Sequence, residues 1–220
     1  MHYDNMKEKI LIDIVSDVVC PWCTIGYKRL EKAISEMSIQ DQVNIEWHPF
    51  ELNPNMPAEG QNLTEHLTEK YRSTPDQQKE SKRHMTLVGQ ELGFIFDYFD
   101  DMRMVNTFDA HILLDYAKAF GKQTELKMRL TSAFFCERKD VSDRSVLKQA
   151  LMEVGLNANE ALSKLDDDDV RYNVRSTMAY WSNMGVNSVP TIVFNRQSAV
   201  TGAQPIDVFK QVLTEIIKKT

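Results

Sequence analysis

An α/β fold interrupted by a long helical insertion is what this 220-residue sequence predicts. Three observations carry that reading. Strand-like apolar runs occur only near the two ends, the stretch 61–165 between them has helical spacing without a convincing strand, and two cysteines stand where the first strand gives way to the first helix.

Ile10, Leu11, Ile12, Ile14 and Val15 form a short β-branched run, the pattern of a strand buried on both faces. After Cys23 the spacing turns helical, with Tyr27, Leu30, Ala33, Ile34 and Met37 on one stripe. Val43, Ile45 and Trp47 alternate as a strand does, and a turn-rich stretch from Leu52 to Pro57 follows. In the insertion, Met85, Val88 and Leu92 mark a helix that Gly93 ends, and Phe108 to Phe120 is apolar on nearly every side. Leu126, Leu130, Ala133 and Phe134 give another stripe, and Leu147, Ala150, Leu151 and Val154 a further one, N-capped by Ser142 or Asp143. The tail returns to a mixed pattern. Val170, Val174, Met178 and Trp181 make a helix closed by Gly185, Val189 to Phe194 is strand-like, and a polar turn at Arg196 to Ser198 leads into a second arm, Ala199 to Thr201. Pro205 then starts a last helix with Phe209, Val212, Leu213 and Ile216 inward. Without 61–165 the order is β-α-β-α-β-β-α, the connectivity of a thioredoxin fold. The expected organisation is a discontinuous thioredoxin-like domain, 1–60 and 166–220, with an inserted all-helical subdomain, 61–165.

Composition narrows the function. With 42% hydrophobic and 26% charged residues the chain is an ordinary globular protein, and 26 Lys and Arg against 32 Asp and Glu leave a net charge of −6. That balance argues against nucleic acid, whose phosphates call for a basic face. The apolar run from Ile10 is too short for a signal peptide or a membrane span. The expectation is a cytoplasmic protein with no membrane partner.

Three cysteines are too few for a disulfide-stapled scaffold, but Cys20 and Cys23 flank Pro21 and Trp22 at the strand-to-helix junction. Backbone N–H groups and the positive end of the helix dipole there favour a thiolate on Cys20. Pro21 suits the first helical turn because it lacks the N–H that would go unpaired. Cys23, one turn further in, is shielded and able to resolve a mixed disulfide, while Pro21 and Trp22 tune the couple. A bare C-x-x-C also fits two zinc ligands or inert buried thiols; zinc would need two more ligands, and neither Cys136 nor the five histidines are spaced to supply them. No bound metal or cofactor is expected. Pro190 interrupts an otherwise clean strand, a conflict that a cis Val189-Pro190 bond resolves by presenting the Val189 backbone to an extended peptide, and that a trans proline opening the strand resolves equally.

The segment Ser16-Asp17-Val18-Val19-Cys20-Pro21-Trp22-Cys23-Thr24-Ile25-Gly26 resembles the active-site opening of the DsbA-like thioredoxin family, in its FrnE-type branch. Pro49 to Pro54, Asn106-Thr107, Ala110-His111, Val189-Pro190-Thr191 and Gly202-Ala203-Gln204 extend the likeness over most of the chain. The resemblance implies Cys20 as attacking thiol, Cys23 as resolving thiol and a cis Pro190 beside them. It further implies exchange with a protein or small-molecule disulfide, recycled by an external thiol such as glutathione. Kappa-class glutathione transferases and hydroxychromene-carboxylate isomerases are similar in architecture but carry serine where this chain has Cys20. They supply the alternative, a glutathione-dependent transferase or isomerase acting on a small aromatic substrate.

The remaining polar and sulfur-bearing residues are read plainly. Cys136 is a small hydrophobe near the core, His111 a satisfied core or interface histidine, and Asp17 a local cap. Met102 and Met104, with Tyr98 and Phe99, are assigned to core packing ahead of a groove over the thiols. Asp166 to Asp169 form the acidic, dipole-favoured start of the helix containing Val170.

Overall fold

The computed structural model describes residues 9–219; residues 1–8 and 220 lie outside that description. In chain order the elements are β1 (Ile10–Ser16), α1 (Pro21–Glu36), β2 (Val43–Pro49), β3 (Gln61–Asn62), α2 (Leu63–Tyr71), α3 (Pro75–Glu91), β4 (Arg103–Met104), α4 (Phe108–Lys118), α5 (Gln123–Cys136), α6 (Arg144–Glu153), α7 (Ala158–Ser163), α8 (Asp168–Asn183), β5 (Thr191–Phe194), β6 (Ser198–Thr201) and α9 (Ile206–Ile217).

The main sheet has the order β2-β1-β5-β6. β1 and β2 run parallel with Ile10 opposite Val43, and β5 lies antiparallel to β1 with Ile12 opposite Phe194. Side chains alternate across it as strand geometry requires. Ile10, Ile12, Ile14, Trp47, Ile192 and Phe194 pack on one face against Leu30 and Ala33 of α1 and Phe209 and Leu213 of α9. Val15 turns to the other face and meets Trp181 of α8 and Val186. This is a thioredoxin-like sheet sandwiched by helices, with a helical part inserted between β2 and α8.

Two details differ from the expected pattern. The insertion holds, besides its helices, a two-stranded ladder in which Gln61 faces Met104 and Asn62 faces Arg103. Two-residue strands carry no periodicity, so nothing in the sequence announces them. The strand-like run at 189–194 is shorter than it reads: β5 starts at Thr191, and Val189 and Pro190 belong to the turn before it.

The insertion is fastened to the sheet through the edge strand β2. An edge strand exposes unpaired backbone groups, and here Gln123 of α5 covers them as a further strand would. The Trp47 N–H donates to Gln123 Oε1 at 2.9 Å, and Gln123 Nε2 donates to the Trp47 carbonyl at 2.9 Å. Trp47 Nε1 donates to Thr124 Oγ1 at 2.9 Å. Replacing Gln123 by Leu leaves a buried N–H and C=O unpaired and is expected to cost about 2–4 kcal/mol. Urea unfolding of the variant checks this, and an unchanged midpoint would show that the edge is held by packing alone.

Candidate active site

The chain leaves β1 at Ser16, crosses Asp17, Val18 and Val19, and enters α1 at Pro21. Cys20 is the helix N-cap, with extended backbone (φ −92°, ψ 110°) and a thiol sulfur that accepts the Cys23 N–H at 3.3 Å. That donor and the helix terminus together favour negative charge on Cys20 Sγ. Cys20 and Cys23 are both free thiols. Cys23 is 2% exposed, and burial, followed by the hydrogen bond and charge of Cys20, pushes its thiol well above the ordinary range. The two thiols, both buried, are therefore inequivalent: the Cys20 sulfur sits at the helix start and accepts an N–H, whereas the Cys23 thiol has its pKa raised.

Pro190 lies against this turn in a cis peptide bond with Val189, the arrangement the resemblance implies. Gly26 makes the approach fit, since a Cβ there would stand 3.0 Å from Pro190 Cγ and 3.4 Å from Ala203 Cα. The Pro190 carbonyl accepts the Gly202 N–H at 2.8 Å, and Arg29 donates to the Ala203 carbonyl at 2.6 Å. Gly202 and Ala203, distant in sequence from Cys20, thus brace the same corner.

Asp17 does more than cap a local turn. Its Oδ1 accepts the Val18 N–H at 2.7 Å, its Oδ2 accepts the Leu52 N–H at 2.8 Å, and His111 Nε2 of α4 stands 3.3 Å from Oδ1. Burial alone would raise the carboxyl pKa, but the hydrogen bond and charge of His111, then the Leu52 N–H, outweigh it and hold Asp17 below the usual carboxylate range. His111 is the buried, partnered histidine expected, and its partner is Asp17.

In front of Cys20 opens a cavity of about 680 Å³ between the α1 corner and the insertion. Cys20, Pro21, Trp22 and Val189 line it from the thioredoxin side; Met85, Tyr98, Met102, Met104, Phe134 and Phe135 supply its apolar wall. His66, Tyr71 and Lys82 add polar groups at the same cavity. Cys23 is not among its lining residues. Met102 and Met104 are buried in the insertion's core and also face the cavity, so the choice between core and groove is answered by both; Phe99 does not line it. Burial, and after it the charge of Cys20, pushes the Tyr98 hydroxyl up. Trp22 is partly exposed, with its ring centroid 6.0 Å from that of His84 on α3.

Several residues around the site were not singled out from sequence: His66, Tyr71 and Lys82 at the cavity, and Lys127 of α5, which is buried and whose charge acts to lower the Cys23 thiol pKa. Cys136 sits apart at the end of α5, half-buried, its thiol donating to the Ile95 carbonyl at 3.0 Å. Asp13, Glu46 and His48 bring their side-chain donor atoms within 4.8 Å of one another. Lys118 pairs with Glu46 and Arg196 Nε lies 3.7 Å from Asp13, which makes this an ion-pair cluster.

A depressed Asp17 pKa fixes the sign of a pH effect. Its contribution to stability is fully present above the unfolded value of ~3.9 and is lost as pH falls through the lower folded value. Asp17→Asn is expected to cost about 1.5–3 kcal/mol at neutral pH, the range for hydrogen bonds to a charged group. The gap from the parent protein should narrow as pH falls below ~4, where Asp17 is protonated in the unfolded chain before it is in the folded one. Urea titrations of both proteins across that window measure it, and a gap that stays constant with pH would contradict the ionised state of Asp17.

Comparison with known proteins agrees with this architecture. A family model described as the DSBA-like thioredoxin domain matches residues 11–214. An uncharacterized protein of Bacillus subtilis, YwbO, is 25% identical over 209 residues, spanning 94% of this chain and 98% of YwbO. The crystal structure of a probable DsbA oxidoreductase from Streptomyces coelicolor superposes with a TM-score of 0.89 at 29% identity, over 96% of this chain and 91% of that one. The fold is shared by the cytosolic disulfide reductase DsbM of Pseudomonas aeruginosa, solved with GSH, at a TM-score of 0.67 and 20% identity, over 94% of this chain and 99% of DsbM. With a family model that spans nearly every described residue, from the first strand to the last helix, the chain belongs to the DSBA-like thioredoxin domain family.

Proposed function

We propose that this protein is a dithiol–disulfide oxidoreductase or isomerase working through Cys20-Pro21-Trp22-Cys23. The Cys20 thiolate attacks one sulfur of a substrate disulfide, a Cys20–substrate disulfide forms, and the other substrate sulfur leaves as a thiolate. Cys23 then attacks Cys20 Sγ and releases the second half of the substrate, leaving the Cys20–Cys23 disulfide. An external thiol such as glutathione, or a partner protein, returns the pair to the dithiol. Val189 and Pro190 hold the substrate beside Cys20. Pro21 and Trp22 tune the couple through the stability they give the thiolate.

The observation that carries this reading is the asymmetry of the two thiols. Both are buried, at 4% and 2% exposure, but Cys20 lines the 680 Å³ cavity and accepts an N–H at a helix start, while Cys23 does not line it and has its thiol pKa raised. Such a pair suits attack by the outer sulfur and resolution by the inner one. The cavity's size is that of a small-molecule site, and its apolar wall suits a disulfide carrying an apolar group or a peptide side chain. Likeness to the cytosolic DsbM is in line with a cytoplasmic setting, where a reducing thiol pool favours reduction or isomerisation over net oxidation. Placement in the FrnE-type branch is part of the same proposal.

The test is trapping. Cys23→Ser is expected to accumulate a mixed disulfide with its substrate that mass spectrometry detects, and Cys20→Ser to abolish exchange altogether. Activity that survives Cys23→Ser at full rate would instead support a glutathione-dependent transferase or isomerase on a small aromatic substrate.

A further inference from the structure

The cavity in front of Cys20 departs from the acidic character of the chain around it. The protein carries a net charge of −6, yet among the described residues that line this cavity there is no aspartate or glutamate, and Lys82 of α3 is the one lysine or arginine. His66 adds no charge there at neutral pH: burial lowers its pKa, and its Nδ1 lies 2.8 Å from Gln61 Oε1.

Two hydrogen-bond donors at this cavity are poorly partnered. Lys82 makes no ion pair among the described residues, and its Nζ has a single contact, Thr64 Oγ1 at 3.5 Å, the far limit of a hydrogen bond. The Tyr98 hydroxyl donates to Met85 Sδ at 3.6 Å, and a thioether is a weak acceptor. Met85 follows Lys82 by three positions on α3, so the two side chains are neighbours on one helix face. The lysine ammonium and the tyrosine hydroxyl therefore border the same stretch of wall. An acceptor bound there would replace two weak contacts by strong ones, and a carboxylate, with two oxygens and a negative charge, suits both donors at once. Beside them the wall is apolar, formed by Met85, Met102, Met104, Phe134 and Phe135. A volume of about 680 Å³ is that of a site for a small molecule.

We propose that the substrate of this site is a small-molecule disulfide whose halves join an apolar body, aryl or alkyl, to a carboxylate, and that Lys82 and Tyr98 set this specificity by binding the carboxylate. The inference rests on the Cys20–Cys23 reading above and narrows it. The Cys20 thiolate attacks the sulfur of the bound half, the substrate S–S bond breaks, and the other half leaves as a thiolate with the electron pair. The bound half is then joined to Cys20, its carboxylate on Lys82 and Tyr98 and its body on the methionine and phenylalanine wall. Attack by Cys23 on Cys20 Sγ releases that half, which takes the Cys23 proton and departs as a thiol. The substrate disulfide is reduced, the dithiol is oxidised to the Cys20–Cys23 disulfide, and the external thiol restores it.

The experiment compares two disulfides of one shape, 3,3′-dithiodibenzoate and its uncharged diamide, as oxidants of the reduced protein in a Cys136→Ser background. Acid quenching and mass spectrometry follow formation of the Cys20–Cys23 disulfide, and each rate is divided by that of the same compound with 2-mercaptoethanol. The parent is expected to favour the dicarboxylate by about tenfold, the worth of one charge-assisted hydrogen bond. Lys82→Met should erase that preference, Tyr98→Phe should lower it by about threefold, and Lys82→Arg should keep most of it. Oxidised glutathione, whose carboxylates sit on a polar peptide, should react more slowly than the dibenzoate. A parent without preference for the acid over the amide overturns the proposal, and this measurement needs no variant. A Lys82→Met protein that slows both compounds alike also overturns it, because the lysine then acts on the thiolate or the fold instead of on the substrate. Faster reaction with oxidised glutathione overturns the apolar body. A parent that forms no Cys20–Cys23 disulfide with any of the three overturns the dithiol reading itself, and the inference with it.

Discussion

A buried carboxylate at the bend after the first strand holds this molecule's parts in register. Asp17 binds its neighbour's N–H, the N–H of Leu52 beyond β2, and His111 of the inserted α4, all within hydrogen-bond range and away from water. A charge placed there is tolerable only while those partners remain. The three groups come from the thioredoxin frame, the loop that leaves it and the insertion. Ionisation of Asp17 therefore ties the geometry of the bend, and of Cys20 three residues later, to correct docking of the helical part.

The apolar packing follows the same plan. Val18, Val19 and Ile25 belong to the core of the insertion, although they flank Cys20 and Cys23 on the thioredoxin side. The corner thus plugs into the helical part, and the cavity at Cys20 is the space left in front of that plug. Its walls are core residues, Met102, Met104 and Phe135, held by packing on their far sides. Methionine suits this double duty, since its unbranched, polarisable chain fills gaps while leaving a face adaptable to different apolar groups. Two helical attachments, Gln123 to the sheet edge and His111 to Asp17, fix the distance between wall and thiol.

Much of this was legible in the sequence because it follows from periodicity. The alternation of Ile10, Ile12 and Ile14 against Leu11 and Val15 gives a strand with two covered faces, and the α1 and α9 stripes give the helices that cover one of them. The thiol pair was legible for a chemical reason: Cys20 and Cys23 at a strand-to-helix junction meet N–H donors wherever the fold then places them. Contacts across long separations were not. Asp17 meets a histidine 94 positions away, and the Gly26 to Pro190 contact joins the first helix to the turn before β5. A short polar residue after a strand reads equally as a turn cap, and only the docked insertion makes it a hub. The β3–β4 ladder escaped because two residues have no period to detect.

Helix α5 shows where periodicity misleads. Its apolar stripe, Leu126, Leu130, Ala133 and Phe134, is buried as expected. The adjoining positions Gln123, Lys127 and Thr131, spaced four apart, are polar, and polar residues so spaced ordinarily mark a solvent face. All three are buried. The helix is enclosed on both sides because one face packs within the insertion while the other meets the sheet edge and the thiol corner, whose backbone groups and charges require polar partners. Gln123 answers the first need by pairing with the Trp47 backbone. Lys127 is buried beside the Trp47 ring, its centroid 5.2 Å from the amine, which has no hydrogen-bond partner. A polar stripe beside an apolar one thus has two meanings, and in a helix packed on both sides the second meaning, a buried polar seam, is the one the packing selects.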